Sequence, residues 1–435
     1  MSDLCGKDES VIASEAGGIT ILGMFLFVAS CMMGAIAIDV ANLMAVRTQL
    51  QVAADSAAHA ALVHREFHSV DEARKKAIGV AEKTLPATVH GEVLTADDIH
   101  FGRYDFTAKR FEIDDDAFDA VLVKTDRLAS QANPVSSILM QFVGISEWDV
   151  VRTSVFETYR PVCLREGFVA DKVVDIQSNN SYFNGFCIHS NTHVEINQNN
   201  FFEAGTIVSM PDMDDLVVPN NGLDEEKNEG LEKALREGKY TIKILGRLED
   251  ILQGLEDPDS VYARAYIDDY ISERIKKKTV DPADFIQGRI HERWGCGKFA
   301  FNAGIYENIV FISDCEITFK NGAEFRNALI LTTDTSAKSM RAPNNLILGE
   351  PDDCASGGGA QLVTWGGVEV AASLEMHGSQ ILAAGNVEFA ASADGIQGAS
   401  IVAGGRIDGT SNMNFSFCAT GMENNFEAEY FRMRG

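Results

Sequence analysis

Two stretches, "VEVAASLEMHGSQILAAG" at residues 368–385 and "VEFAASADGIQGASIVAGG" at 387–405, repeat one another at intervals of nineteen and twenty residues. Val368, Val370, Ile381 and Leu382 in the first are matched by Val387, Phe389, Ile401 and Val402 in the second. Each unit has two short strand signals separated by Asn, Gly, Ser and Ala, residues that form turns or fit tight corners. The layout also occurs upstream. Val174-x-Ile176 in "VVDIQSNN" returns as Val194-x-Ile196 in "HVEINQNN", and Cys187-Ile188 returns as Ile207-Val208. A looser copy, "ITFKNGAEFRNALILT", places Ile317, Phe319, Leu329 and Ile330. One such unit cannot bury its own apolar face, so repeats of this length predict a parallel β-solenoid with coils about 4.8 Å apart. Six coils would make a rod of about 30 Å. A β-sandwich is the other architecture, and it would make the likeness of "VEVAAS" and "VEFAAS" accidental.

The composition differs between the early and late repeats. Within residues 211–295, "GLDEEKNEGLEKALREG", "TIKILGRLEDILQGLE" and "DPDSVYARAYIDDYISERIKKK" read as helices. Leu245, Leu248, Leu252 and Leu255 follow helical spacing in the second, and Tyr262, Tyr266 and Tyr270 form a face in the third. The expectation is a helical insertion between two coils, covering the edge of the rod or meeting a partner.

At the other end of the chain, "GGITILGMFLFVASCMMGAIAI", residues 17–38, is uncharged and apolar. At about 1.5 Å per residue it can cross a hydrocarbon core of roughly 30 Å, and it is read as a transmembrane helix. Basic residues say little about orientation, since only Lys7 precedes the span and Arg47 is the one basic residue soon after it. The cysteines say more. Cys163, Cys187, Cys296, Cys315, Cys354 and Cys418 have no CxxC or CxH spacing, and their even number fits three disulfides in an oxidising compartment. The large C-terminal part is therefore expected outside the cytoplasm, with residues 1–16 inside. "VASC" and "AIA" offer cleavage or lipidation sites, but the preceding region is acidic where export signals are basic. An uncleaved anchor is the expectation. The net charge of −27, from 64 acidic and 37 basic residues, excludes nucleic acid and anionic lipid headgroups as partners attracted by charge.

After the span, "DVANLMAVRTQLQVAADSAAHAAL", residues 39–62, places Leu43, Val46, Leu50, Ala53, Ala57 and Ala60 at alternating steps of three and four, a helix-packing seam. Its partner is either another chain or the next segment, "HSVDEARKKAIGVAEKTL", and the pattern leaves the two open. This region resembles the membrane-anchored TadE/TadG-like family of the tight-adherence (Tad, or Flp) pilus system. The matching residues are Asp39, Arg47, Leu50, Gln51, Ala53, Ala54, Asp55, Ala57 and Ala58, and the likeness continues through "HFGRYDFTAKRFEI", "DAVLVKTDR" and "NPVSSILMQFVGISEWDVVRTSVFETYRP". The last of these reads as a Pro-led helix from Asn133 to Val143 and a final strand. The nearest string to a von Willebrand A metal motif, "DTSAKS", has Lys338 in a ligand position, so no such domain is assigned.

The expected fold is thus α+β and membrane-anchored. It comprises a cytoplasmic N-terminus (1–16), a transmembrane helix (17–38), an alanine-rich helical stalk (39–90), a small TadG-like α+β domain (91–161) and a β-solenoid-like domain (162–435) with its helical insertion (211–295). The resemblance implies a structural or assembly role, minor-pilin-like and supporting adhesion, in a Flp-type pilus. It also implies the bacterial inner membrane, with pilin-like TadE/TadF-type subunits and the inner-membrane assembly platform as partners; the exported portion is expected to contact the pilus, with the cell wall or polysaccharide as a further contact.

No catalytic set, cofactor or metal is assigned. His64, His68 and Glu72 share one helical face, a spacing that can hold a metal but more often faces solvent. "MPDMDD" and "EPDDC" lack the ligand ladder of a calcium loop. Asp334, Asp352, Asp353 and His377 faintly resemble the sites of polysaccharide-cleaving solenoids. An envelope-anchored carbohydrate-binding or carbohydrate-cleaving solenoid is accordingly the alternative function.

Overall fold

The computed structural model describes residues 16–105, 107–409, 411–418 and 420–434, so the expectation for residues 1–15, Cys5 included, lies outside the described residues. The chain forms two units: residues 1–159 with 429–435, and residues 160–428.

The first unit is built on one continuous helix, α1 (Ala16–Arg65), about 75 Å long at 1.5 Å per residue. Its first half exposes apolar side chains such as Ile19, Phe25 and Phe27. Its second half packs on α2 (Val70–Thr84), which starts at a capping box formed by Ser69 and Glu72. Beside the helices lies an antiparallel sheet of β1 (Ile99–Asp105), β2 (Arg110–Ile113), β3 (Ala120–Arg127) and β6 (Val150–Tyr159), while β4 (Val135–Ser136) and β5 (Glu147–Trp148) form a separate two-stranded pair. The order in the sheet is β2-β1-β3-β6, completed by residues Tyr430–Met433, which pair antiparallel with β6. That last strand falls within the range expected to be solenoid; it serves the first unit instead, with Phe431 packed on that unit's core and Arg432 bound to Glu157 of β6.

The alanine seam is filled from within the chain. Leu50, Ala53, Ala57, Ala58, Ala61 and Leu62 of α1 are buried with Ala73, Ala77 and Ala81 of α2 and with Phe101, Val121 and Val123 of the sheet. Small side chains on both helices permit close approach, and the sheet supplies the large ones. The intramolecular partner is therefore the realised one, so this seam is not free to dock neighbours. The Pro-led helix expected from Asn133 to Val143 is absent: its residues form β4 and a 3-10 turn, Met140–Val143, and the amides of residues 137–140, which a helix would bond to carbonyls four residues earlier, go to Ser146 O and to the Asp39 carboxylate instead.

The second unit is a parallel β-solenoid of about twelve turns. Register follows the repeats: Val174 pairs with Val194, Cys187 with Ile207, Val368 with Val387 and Ile381 with Ile401. The aromatic core stacks along the axis, with Tyr182 between Phe202 and Phe415 at 5.1 and 5.0 Å. At one corner the repeated asparagines form a ladder, in which Asn228 Oδ1 accepts from the Asn200 amide (3.0 Å), Asn200 Oδ1 from the Asn180 amide (2.9 Å) and Asn180 Oδ1 from the Met413 amide (3.0 Å). The preceding Asn179 and Asn199 turn the corner at φ of 61° and 66°, a left-handed conformation that asparagine tolerates.

The coils do not follow chain order. One continuous ladder runs through Asp269–Arg274, Arg289–Arg293, Gly304–Ser313, Ala323–Thr332, Ala360–Thr364, Val368–Ala383 and Val387–Ala403. It then passes to Gly167–Ala170, Cys187–Ser190, Ile207–Met210 and Leu235–Glu237. The chain enters the stack at an internal rung, builds to one end, crosses to the far end and returns to where it started. At about 4.8 Å per rung the stack is roughly 50 Å long.

The crossing is made by residues 238–268, and it corrects the helical insertion. These residues are a strap between opposite ends of the rod, not an insertion between adjacent coils. Across 211–295 the α-helix is limited to Leu231–Ala234 and Leu248–Gly254, with 3-10 segments at Met213–Asp215, Lys243–Arg247 and Pro282–Asp284. The tyrosine face fails because Asp269–Arg274 is the terminal solenoid strand: the chance to extend a sheet outweighs helical spacing. The strap is tied down at Asn191, whose Oδ1 accepts from the Tyr240 amide (3.0 Å). It is held again at Arg264, which donates to Asn424 O (2.6 Å) and lies over Phe426 (4.1 Å).

All six late cysteines are paired, as Cys163–Cys187, Cys296–Cys315 and Cys354–Cys418. Cys31 is free and exposed.

Because Ala57 has no exposed surface, Ala57→Leu must push α1 away from the sheet and α2. The expected loss is about 1–3 kcal/mol of stability, read as a lower melting temperature of the detergent-solubilised chain; an unchanged melt would mean that the seam is open.

Candidate functional site

The residues that carry the family likeness surround the point where α1 leaves its apolar half. Asp39, the first charged residue after the span, is 3% exposed. Its Oδ1 accepts from the Ile138 amide (2.5 Å) and its Oδ2 from the amides of Leu139 (2.9 Å) and Met140 (2.6 Å). Asn42, one turn later, donates to Ser136 O (3.4 Å). The carboxylate thus clasps the loop 137–146 to the helix across a hundred residues of sequence. Burial opposes the charge, but the three amides outweigh it and hold the Asp39 carboxyl below its ordinary value of 3.8.

Further along α1, Gln51 Nε2 bridges Asp55 Oδ1 (2.8 Å) and the β6 carbonyl of Thr153 (3.2 Å). Thr125 of β3 donates its hydroxyl to Leu50 O (3.0 Å). Val46, Leu50, Ala53, Ala54, Ala57 and Ala58 are buried, and Leu43, Arg47, Gln51, Asp55 and Ala60 are half-buried. The motif is therefore an internal fastening: Asp39 holds a loop, Gln51 holds β6 and the alanines admit α2 and the sheet. Sequence reasoning missed the amides of residues 138–140; the one signal pointing to them is the absence of charge from Leu128 to Ser146.

A family model described as a domain of unknown function (DUF7867) matches residues 167–419, more than half of the chain. The chain belongs to this family. A second model, described as putative Flp pilus-assembly TadE/G-like, matches residues 17–66, which are the span and the clasped part of α1. The TadE/G-like segment is thus joined to a DUF7867 solenoid in one membrane-anchored chain with a role related to Flp pilus assembly. No curated protein and no solved structure matches it.

On the DUF7867 solenoid, outward positions of successive coils stack Glu195, Asp175, Asp408, Glu388 and Glu369 in register. Arg406 offsets this acidic row, binding Asp175 and lying 3.7 Å from Glu195 and 3.6 Å from Asp408; Lys338 pairs with Glu369. Burial, then the neighbouring Asp408, raises the Asp175 carboxyl above its ordinary value, with Arg406 opposing.

The residues considered for chemistry are only partly brought together. His377 is buried near Asp352 and Asp353, and burial pushes its imidazole below the ordinary value, so the ring is neutral at pH 7. Asp334 is not in this group; its Oδ1 accepts from the Ser336 amide (3.0 Å). His64 and His68 stack at 3.8 Å, but Glu72 is turned to Ser69 Oγ (2.9 Å) and the Ser69 amide as a helix cap. Cys296, Asp314 and Cys315 have ligand atoms close together, yet both sulfurs are in the Cys296–Cys315 bridge and Asp314 accepts from the Gly295 amide (2.9 Å).

The clasp depends on a charged carboxylate. Its contribution to stability is complete above the ordinary value near 3.8 and is lost as pH falls through the lower value held in the fold. Asp39→Asn should therefore melt earlier than the parent chain at pH 7, with the difference closing below about pH 3.8. Equal melting at pH 7 would show that the clasp bears no load.

Proposed function

We propose that the chain is a structural, minor-pilin-like component of a Flp-type pilus at the bacterial envelope. It supports adhesion and has no catalytic role. The observation that carries this is the TadE/G-like match at residues 17–66, which falls on a helix that is apolar and exposed first and fastened to a folded unit afterwards. The three disulfides favour an oxidising compartment for the solenoid, hence a cytoplasmic N-terminus and an exported body. The partners are pilin-like TadE/TadF-type subunits and the inner-membrane assembly platform.

With the alanine seam filled, docking of those subunits uses the exposed side of α1. Val40, Met44 and Val52 stand there, 46–52% exposed, and continue the line of the apolar span. Such side chains cost free energy in water and gain it on contact with another helix.

Sheared filaments and membranes from the same cells, probed for this chain, test the assignment: recovery with filaments or with the pilus platform supports it, and recovery with neither overturns it. Met44→Glu should reduce co-purification with the pilin-like subunits severalfold at unchanged expression, whereas full recovery would remove the docking role of that face.

A further inference from the structure

The loop clasped by Asp39 has a second property. Ile138, Phe142, Val143 and Ile145 expose 48, 81, 56 and 38% of their surface, and no charged residue occurs from Leu128 to Ser146. An uncharged loop with several large apolar side chains in solvent is unfavourable in water, and such patches mark an interaction site.

The loop's position along α1 indicates what covers it. Asp39 follows directly on the uncharged span 17–38, and an ionised carboxylate is held at the edge of the hydrocarbon, not within it. The loop is bound to that same carboxylate through three successive amides, and its turn Met140–Val143 lies against α1. The base is fixed by the β4–β5 pairing and by Trp148 Nε1 donating to Ser137 Oγ (2.8 Å). The tip is closed by Gly144 at φ 90°, a conformation suited to glycine. The loop is thus fastened at the residue that ends the uncharged span.

We infer that residues 138–145 form a membrane-seated loop whose apolar side chains, Phe142 foremost, insert into the interfacial layer of the bilayer that α1 spans. The occupant of this face is lipid. The loop would act with the span as a second point of contact, restricting rotation and tilt of the first unit about the helix axis. This rests on the anchor and the clasp alone and stands apart from any role in a pilus.

The test uses the full chain carrying Cys5→Ser, Cys31→Ser and Phe142→Cys, spin-labelled at the new thiol and reconstituted in phosphatidylethanolamine–phosphatidylglycerol vesicles. Phe142 is exposed, so the substitution leaves the fold in place; Val143→Cys serves as a second position. Collision with oxygen and with a water-soluble nickel chelate is measured, with Ile113→Cys in the same background as the exposed control. The expected result is an oxygen-to-nickel ratio severalfold higher at 142 and 143 than at 113. A ratio equal to that of the control places the loop in water and overturns the inference. Protection from both reagents places it against protein, a second copy or another subunit, and overturns it as well.

Discussion

The pairing of Gly167–Ala170 with Ser400–Ala403 governs the architecture. A parallel coil cannot bury its face alone, and a solenoid that began at residue 167 with no coil on one side would leave Phe168 half-covered. The last coil supplies that side, placing Phe389 and Phe415 at 5.5 and 5.1 Å from Phe168. Two consequences follow from this one register. The chain must carry a strap from one end of the stack to the other, and the second unit begins and ends at neighbouring rungs. The few residues left after Ala428 can then pair with β6 and complete the sheet of the first unit.

The first unit answers to a different constraint. A helix that is apolar over its first half and alanine-rich over its second changes character near one residue, and Asp39 is the first charge after the apolar run. Its carboxylate would be costly if buried without partners; three amides satisfy it. Beyond it, small side chains allow α2 and the sheet to cover α1, so span and folded unit are one continuous element and not a tether and its cargo. This is how a membrane span can set the position of a folded unit at the surface: the load passes through helix backbone and buried contacts.

Much of this was legible in the residues, and the gaps have physical causes. The repeats at 174, 194, 368 and 387 could be read because in-register stacking demands similar side chains at each coil, and the asparagine corners repeat for the same reason. The coils around residues 289–313 were not recognised because their core is filled by Phe299, Phe301, Tyr306 and Phe311, which satisfy the same volume without the Val-x-Val signature. The strap carries helical spacing at Tyr262, Tyr266 and Tyr270, yet the contacts that fix it, Tyr262 with Phe426 and Arg264 with Asn424 and Phe426, join residues far apart in sequence and leave no local signature. The alanine seam showed that α1 packs closely against a helix, but not which one, since Ala73, Ala77 and Ala81 suit it as well as another chain would. The partners of Asp39 were invisible because backbone amides carry no sequence signature.

The proposed function requires a solenoid body that folds outside the reducing interior, with its coils in the register described. Peptide mapping of the non-reduced chain isolated from cells under thiol-blocking conditions tests this most directly. The prediction is three bridges, Cys163 to Cys187, Cys296 to Cys315 and Cys354 to Cys418. Blocked, unpaired thiols at these six positions would contradict the export of the body, and any other pairing would contradict the order of its coils.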